Sequence, residues 1–330
     1  MATEIVGTVG AGRMGRGIAV ACALAGHPVL VIDVKSRKPD AFAILAAEVD
    51  REILETLAFL AGTGLLGTDQ IAAVRALVTV VDRADAGAAL GKCSIIFEAV
   101  PETLEAKREA FAVISEHCRT SALVASTTST IGVEDLAKLI VGPERFLNAH
   151  WLNPGFLMPL VELSPSASTA PETTATMKAW LQGIGKVPVV CRASPGYIVP
   201  RIQALACAEA CRLVEEGVAS AEDVDLAISV GFGLRFVTLG MLEFVDWGGG
   251  DILYYALRYM AEHIDKDRFA TPQIVTDYMA QGRRGLRDGI GFYDFAGRDI
   301  EAYRKAKLGE FVTLLKQRGL MPKYQPSSLK

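Results

Sequence analysis

Few chains of this length can fold around their own first 33 residues in more than one way, and this one is tightly constrained. A short apolar run, EIVGTV from Glu4 to Val9, meets Gly10, Gly12 and Gly15 in the spacing GxGxxG. A helix-forming stretch follows to about Ala25 and stops at Gly26. After His27, read as a solvated loop residue, comes a second apolar run from Pro28 to Ile32, and then Asp33. Each part has a physical job. Gly10 permits the tight turn, Gly12 lets backbone approach a pyrophosphate, and Gly15 lets the helix pack close to the strand. The helix N-terminus offers free N–H groups and positive potential to phosphates. Asp33 is placed to accept hydrogen bonds from an adenosine ribose and to repel a 2′-phosphate, which predicts NAD over NADP. Lys35, Arg37 and Lys38 temper that preference.

The alternation continues. Asp40–Leu60 and Thr68–Arg75 read as two helices joined by AGTGLLG, an inserted hairpin expected to stand out from the sheet. Ala76–Val81, Ser94–Val100, Ala122–Ser126 and Val187–Cys191 read as strands. Helices are expected over Ala84–Leu90, from Glu102 to His117, over Gly132–Ile140 and over Pro171–Ile184. Strands alternating with helices predict an α/β fold, a Rossmann-type, mostly parallel, doubly wound sheet spanning residues 1–193. From Ser194 the pattern changes to long apolar helices. One of them, AEDVDLAISVGFG, is expected to stop at its glycines. An all-α domain is expected over 194–330, ending in a mobile tail from Met321 to Lys330. Its helices carry more apolar surface than a small bundle needs, which points to a homodimer contact.

Composition narrows the partners. The formal net charge is -4, so no basic excess is available for nucleic acid. No run of about 18 uncharged apolar residues suggests a membrane span. The start of the chain does not read as a secretory leader. Cys22, Cys93, Cys118, Cys191, Cys207 and Cys211 are scattered, without a CxxC pair or nearby histidines. They read as buried, reduced thiols of a cytoplasmic protein rather than metal ligands.

The chemistry concentrates between Arg145 and Glu162, RFLNAHWLNPGFLMPLVE. Phe146–Ala149 and Met158–Val161 read as strands, and the NPGF segment between them favours a turn. That turn would bring His150 beside Glu162, twelve residues on. A histidine held by a carboxylate is suited to general base work near neutral pH. Ligands of doubly wound sheets bind beyond the carboxyl ends of the strands. Glu102, Ser129 and His150 all follow strand ends, so one crevice can collect them.

Several motifs then align in order: GAGRMGRGIA, EAVPE at Glu98–Glu102, TTS ending at Ser129, HWLNP from His150, PLVE ending at Glu162, PGYIV, and GIGFYDF at Gly289–Phe295. From about residue 4 to 296 the chain resembles the 3-hydroxyacyl-CoA dehydrogenase family. RLVEEGVASAEDVDLAISVGFGLRF looks closest to the branch holding L-gulonate 3-dehydrogenase and lambda-crystallin. The resemblance implies an NAD-dependent dehydrogenase acting on the 3-hydroxyl of a 3-hydroxy acid or 3-hydroxyacyl thioester. His150 would take the hydroxyl proton and Glu162 would orient it. Ser129 would bind the reacting oxygen, and Asn153 would steady developing charge or the cofactor. Gly10, Gly12, Arg13, Met14, Gly15 and Asp33 would hold the dinucleotide. Glu102 and Lys107 would line the nicotinamide ribose, and Arg287 would stand near the nicotinamide where the family usually has lysine.

Two departures bear on substrate. The family commonly has an asparagine where this chain has Pro200, which removes one substrate or water contact. The hairpin from Pro39 to Val74 carries one basic residue, Arg51, against six acids, so a CoA diphosphate would meet net negative charge. A small free acid is therefore favoured, with Arg235 in GFGLRF expected to bind its carboxylate. The alternatives are a dehydrogenase of another hydroxyl or aldehyde on a non-CoA carboxylate, and a non-catalytic, crystallin-like binding protein.

Overall fold

The computed structural model describes residues 3–322; most of the tail expected at its end lies outside them. The chain divides into two compact units, Met1–Cys207 and Ala208–Lys330.

The first unit holds one sheet of eight strands, ordered β3-β2-β1-β4-β5-β6-β7-β8. The strands are β1 (Val6–Val9), β2 (Val29–Ile32), β3 (Val78–Val81), β4 (Ile95–Glu98), β5 (Leu123–Ser126), β6 (Phe146–Trp151), β7 (Leu160–Pro165) and β8 (Val187–Val190). Neighbours pair in parallel except β6 with β7, which are antiparallel. The expected α/β fold is what the chain adopts. Helices α1 (Arg13–Leu24), α2 (Pro39–Gly62), α3 (Ile71–Ala76), α4 (Ala86–Leu90), α5 (Leu104–His117), α6 (Val133–Ala137) and α7 (Pro171–Gly183) complete the alternation.

Central parallel strands are buried on both faces, which is why they read as continuous apolar runs. Along β4, Ile95 and Phe97 enter one core with residues of α1, α2 and α7, whereas Ile96 enters the other with residues of α4, α5 and α6. Phe97 packs edge-on against Trp151, ring centroids 5.5 Å apart. Truncating such a side chain to Ala costs about 3–5 kcal/mol.

Two expectations need correction here. The hairpin does not stand away from the unit. Val49, Ile53, Leu57 and Leu60 of α2 are buried in the same core as Ile18 of α1, because its apolar positions fall on one helical face. His27 is not solvated either. It is 6% exposed, its Nδ1 accepts the Glu4 backbone N–H at 3.0 Å, and its ring lies against Trp180.

Helix α8 (Val199–Glu215) contains the division between the units. The second unit continues with α9 (Ala221–Ala227), α10 (Gly233–Thr238), α11 (Met241–Gly248), α12 (Gly250–His263), α13 (Gln273–Ala280) and α14 (Ile300–Gln317). The glycines of GFG do not stop the helix. A π-helical turn over Ile228–Phe232 links α9 directly to α10. Cys207 and Cys211, expected to be buried, are exposed, since nothing among the described residues covers that face of α8; only Cys22 and Cys93 are fully buried.

Candidate active site

The cleft lies at the carboxyl ends of β1, β2, β4, β5 and β6, as strand order predicts. Its volume is about 870 Å³, and its walls include Gly10, Gly12, Arg13, Met14, Asp33, Glu102, Ser129, His150 and Asn153.

One end is a dinucleotide cradle. Gly10 turns with φ 116°, and a Cβ there would lie 2.6 Å from the Ala99 carbonyl oxygen. A Cβ on Gly15 would lie 2.0 Å from the Gly10 carbonyl oxygen, so Gly15 is what lets α1 sit against β1. It supports the loop from beneath and does not line the cleft. Gly12 is the opposite case: a Cβ there meets nothing within 4 Å, and the residue faces the cleft. No side chain caps α1 at Gly12, so its first N–H groups remain available to an anion. At the end of β2, Asp33 is 4% exposed and pairs with the Arg37 guanidinium. An uncapped helix start, open space over Gly12 and a buried carboxylate after β2 fit an NAD molecule.

The wall beyond β4 and β5 is a hydrogen-bonded network. Glu98, fully buried at the end of β4, accepts from Lys107 Nζ at 3.1 and 3.0 Å and from Ser126 Oγ at 2.5 Å. Lys107 also pairs with Glu102 Oε2 at 3.3 Å. Oε1 of Glu102 accepts the backbone N–H groups of Ser129 and Thr130, both at 2.9 Å, and the hydroxyls of Thr128 and Thr130. Burial alone would raise the Glu102 carboxyl, but the Thr128 hydroxyl, the Lys107 ammonium and the Thr130 contacts bring it down to about 2. Glu102 thus shapes the loop that carries Ser129. Lys107, expected to line the ribose, requires correction. Its side chain is 1% exposed, and it reaches the cleft only through Glu102 because Glu98 draws it beneath the surface.

The opposite wall comes from the antiparallel pair. Their register sets His150 directly across from Glu162, and His150 Nδ1 lies 2.8 Å from Glu162 Oε2. Glu162 Oε1 accepts the backbone N–H groups of Ile198 and Val199, each at 2.9 Å. Pro200 follows in the first turn of α8, where a missing N–H is tolerated. Asn153 lies in the connection from β6 to β7 and lines the cleft. Lys186 holds that connection, donating to the carbonyls of Gly155 and Met158 at 2.8 Å each. Burial lowers its ammonium below the ordinary lysine value.

Arg235 and Arg287 belong to the second unit. Arg235, on α10, is exposed and lies over the Phe244 ring at 5.5 Å. Arg287 pairs with Asp251 at 2.8 Å. Four contributors escaped sequence reading: Glu98, Asn148, Lys186 and Tyr197. Glu98 and Tyr197 sit inside motifs quoted above, EAVPE and PGYIV, but only as markers of resemblance.

Residues 5–194 match the family model "3-hydroxyacyl-CoA dehydrogenase, NAD binding domain", and residues 196–295 match "3-hydroxyacyl-CoA dehydrogenase, C-terminal domain". A lambda-crystallin homolog from Bos taurus is 34% identical over 77% of this chain and 77% of its own length. The 5-formyl-3-hydroxy-2-methylpyridine 4-carboxylate 5-dehydrogenase of Mesorhizobium japonicum is 27% identical over 94% of this chain and 96% of its own. A crystal structure of a 3-hydroxyacyl-CoA dehydrogenase from Archaeoglobus fulgidus superposes with a TM-score of 0.75 at 30% identity, covering 96% of this chain and all of that one.

Proposed function

The chain belongs to the 3-hydroxyacyl-CoA dehydrogenase family and is an NAD-dependent oxidoreductase, and we propose that His150 is its general base. One observation carries the reading: His150 Nδ1 is held at 2.8 Å by a carboxylate whose other oxygen is already taken by two backbone N–H groups. Glu162 therefore has a fixed orientation. It keeps the proton on Nδ1 and leaves Nε2 to accept the proton of a secondary hydroxyl. Bound NAD supplies the hydride acceptor. Ser129 donates to the reacting oxygen, and Asn153 steadies the charge that develops there.

The substrate we propose is a small, free 3-hydroxy acid. Arg16 pairs with Glu48 and Glu52 at 3.3 and 3.1 Å, and Arg51 pairs with Glu55 at 2.8 Å. The arginines of the hairpin region are engaged by its own acids, which leaves little to hold a CoA diphosphate. Arg235 takes the substrate carboxylate. The similarity to a pyridine carboxylate dehydrogenase favours a free carboxylate and keeps a second reading open, oxidation of another hydroxyl or an aldehyde on such an acid. We further propose a homodimer through the helical unit, because among the described residues α8 and α12 have none that is buried and they expose Ile202, Leu205, Ile252 and Tyr255.

Turnover of the wild type and of His150→Gln, with NAD and a panel of free 3-hydroxy acids beside 3-hydroxybutyryl-CoA, tests this. The variant should lose roughly two or more orders of magnitude in kcat while still binding NADH. Wild-type turnover in His150→Gln would remove the base from the mechanism. A preference for the thioester over every free acid would overturn the substrate reading.

A further inference from the structure

Tyr197 is the only non-glycine residue with a left-handed backbone among the described residues, at φ 46°. Such a conformation persists only where its surroundings hold it. Here they are the parts of the active site. The Tyr197 ring is 7% exposed and stacks on the His150 imidazole, centroids 5.0 Å apart and planes 9° from parallel. Its hydroxyl accepts Asn148 Nδ2 at 3.0 Å and donates to the Thr128 carbonyl at 2.8 Å. Asn148 precedes His150 by two residues on β6 and so shares its face of the strand. Thr128 immediately precedes Ser129. The next two residues, Ile198 and Val199, give their N–H groups to Glu162.

One short segment therefore touches the proposed base, the carboxylate that orients it and the loop bearing the proposed oxygen-binding serine. We infer that Tyr197 is a positioning residue for the reaction: its ring fixes the plane of the His150 imidazole, and its hydroxyl fixes the Ser129 loop relative to that imidazole. The inference rests on the reading of His150 as the base. When His150 takes up the substrate proton it becomes a cation, and an aromatic face in contact favours that form. Burial pushes the phenol well above its ordinary range, so the hydroxyl stays protonated and keeps donating to Thr128. An apolar side chain of similar volume would fill the space without either effect.

The test compares Tyr197→Phe and Tyr197→Leu with the wild type and with His150→Gln. Tyr197→Phe keeps the stacked ring and drops both hydroxyl contacts; kcat should fall about 3- to 10-fold. Tyr197→Leu also loses the ring, and kcat should fall roughly 30-fold or more. Both should bind NADH within about twofold of the wild type, with the loss in kcat and not in KM. The order Tyr, Phe, Leu in kcat, at an unfolding midpoint and KM close to the wild type, is the signature, since a merely structural role would lower the midpoint along with activity. A folded Tyr197→Leu enzyme with wild-type kcat overturns the inference, as does a loss confined to KM. If Tyr197→Leu does not fold, Tyr197→Phe decides, and an unchanged kcat overturns it. An inactive His150→Gln beside a fully active Tyr197→Leu removes only the role of Tyr197. A fully active His150→Gln removes the base reading and this inference with it.

Discussion

Val199 donates its backbone N–H to Glu162 Oε1 at 2.9 Å, on the carboxylate oxygen that His150 does not use. The start of α8 and the imidazole thus hold one side chain from two directions. Replacement by Gln separates these contacts. The amide oxygen can still accept from Ile198 and Val199, but the NH2 group then faces Nδ1 and forces the proton onto Nε2. The ring is left in the tautomer that cannot accept a proton from substrate. Glu162→Gln should therefore fold normally, bind NADH, and lose kcat by roughly 10²- to 10⁴-fold. A kcat within tenfold of the wild type would show that the carboxylate does not set the tautomer.

The glycines of the cradle should separate by what a methyl group meets. Gly15→Ala places Cβ 2.0 Å from the Gly10 carbonyl oxygen, and backbone must move. It should lower stability by about 1–3 kcal/mol, measured by urea unfolding. Gly12→Ala meets nothing within 4 Å among the described residues, so its unfolding midpoint should match the wild type. Its methyl group instead occupies cleft space, and its Kd for NADH should rise by roughly tenfold or more, measured by fluorescence titration. Unchanged NADH affinity in Gly12→Ala would place the pyrophosphate elsewhere.

What could be read from the sequence, and what could not, follows from the range of the contacts involved. The glycine cradle and Asp33 were legible because each requirement is met within one strand-turn-helix-strand segment. His150 and Glu162 were legible because a short connection between two strands leaves few registers. Lys107 was misread because residue type does not reveal burial. Its position depends on Glu98, which accepts from it at 3.0 Å. His27 was misread for a similar reason: its ring lies against Trp180, far along the chain. Tyr197 was invisible as a site residue because its role needs residues 128, 148 and 150 assembled around it. The glycines at 231 and 233 misled in the opposite sense. Their weak helix propensity is a local signal, and a π-helical turn carries the helix through them.

Glu102 links the site to stability in acid. Its carboxyl is brought down to about 2 in the fold, against an ordinary value of 4.5. A depressed carboxyl stabilises the folded state above its unfolded value, and that contribution fades as pH falls through the folded one. The side chain is 34% exposed, so solvent screening leaves about 1 kcal/mol. Glu102→Gln should be less stable than the wild type by about that amount at pH 7, and the gap should narrow between pH ~4.5 and ~2. Urea unfolding of both proteins at pH 7 and pH 3 measures it. A gap that stays constant with pH would mean that the lost contribution is packing rather than charge.

The substrate reading meets its test at Arg235. Its guanidinium lies over Phe244 at 5.5 Å, and it takes part in no ion pair among the described residues. Stacking on an aromatic face holds the guanidinium plane while leaving its edge free to bind a carboxylate through two parallel hydrogen bonds. A charge-assisted contact of this kind contributes about 1.5–3 kcal/mol. Arg235→Met should accordingly raise KM for a free 3-hydroxy acid by roughly tenfold or more, with little change in NADH affinity. Arg235→Lys restores charge without the planar fork and should recover only part of the loss. The same variants assayed with 3-hydroxybutyryl-CoA provide the contrast, because a thioester has no carboxylate at that end. If Arg235→Met leaves every KM unchanged, the arginine is a surface residue. If it weakens the thioester and the free acid alike, the arginine supports the fold of its own unit rather than recognising substrate charge.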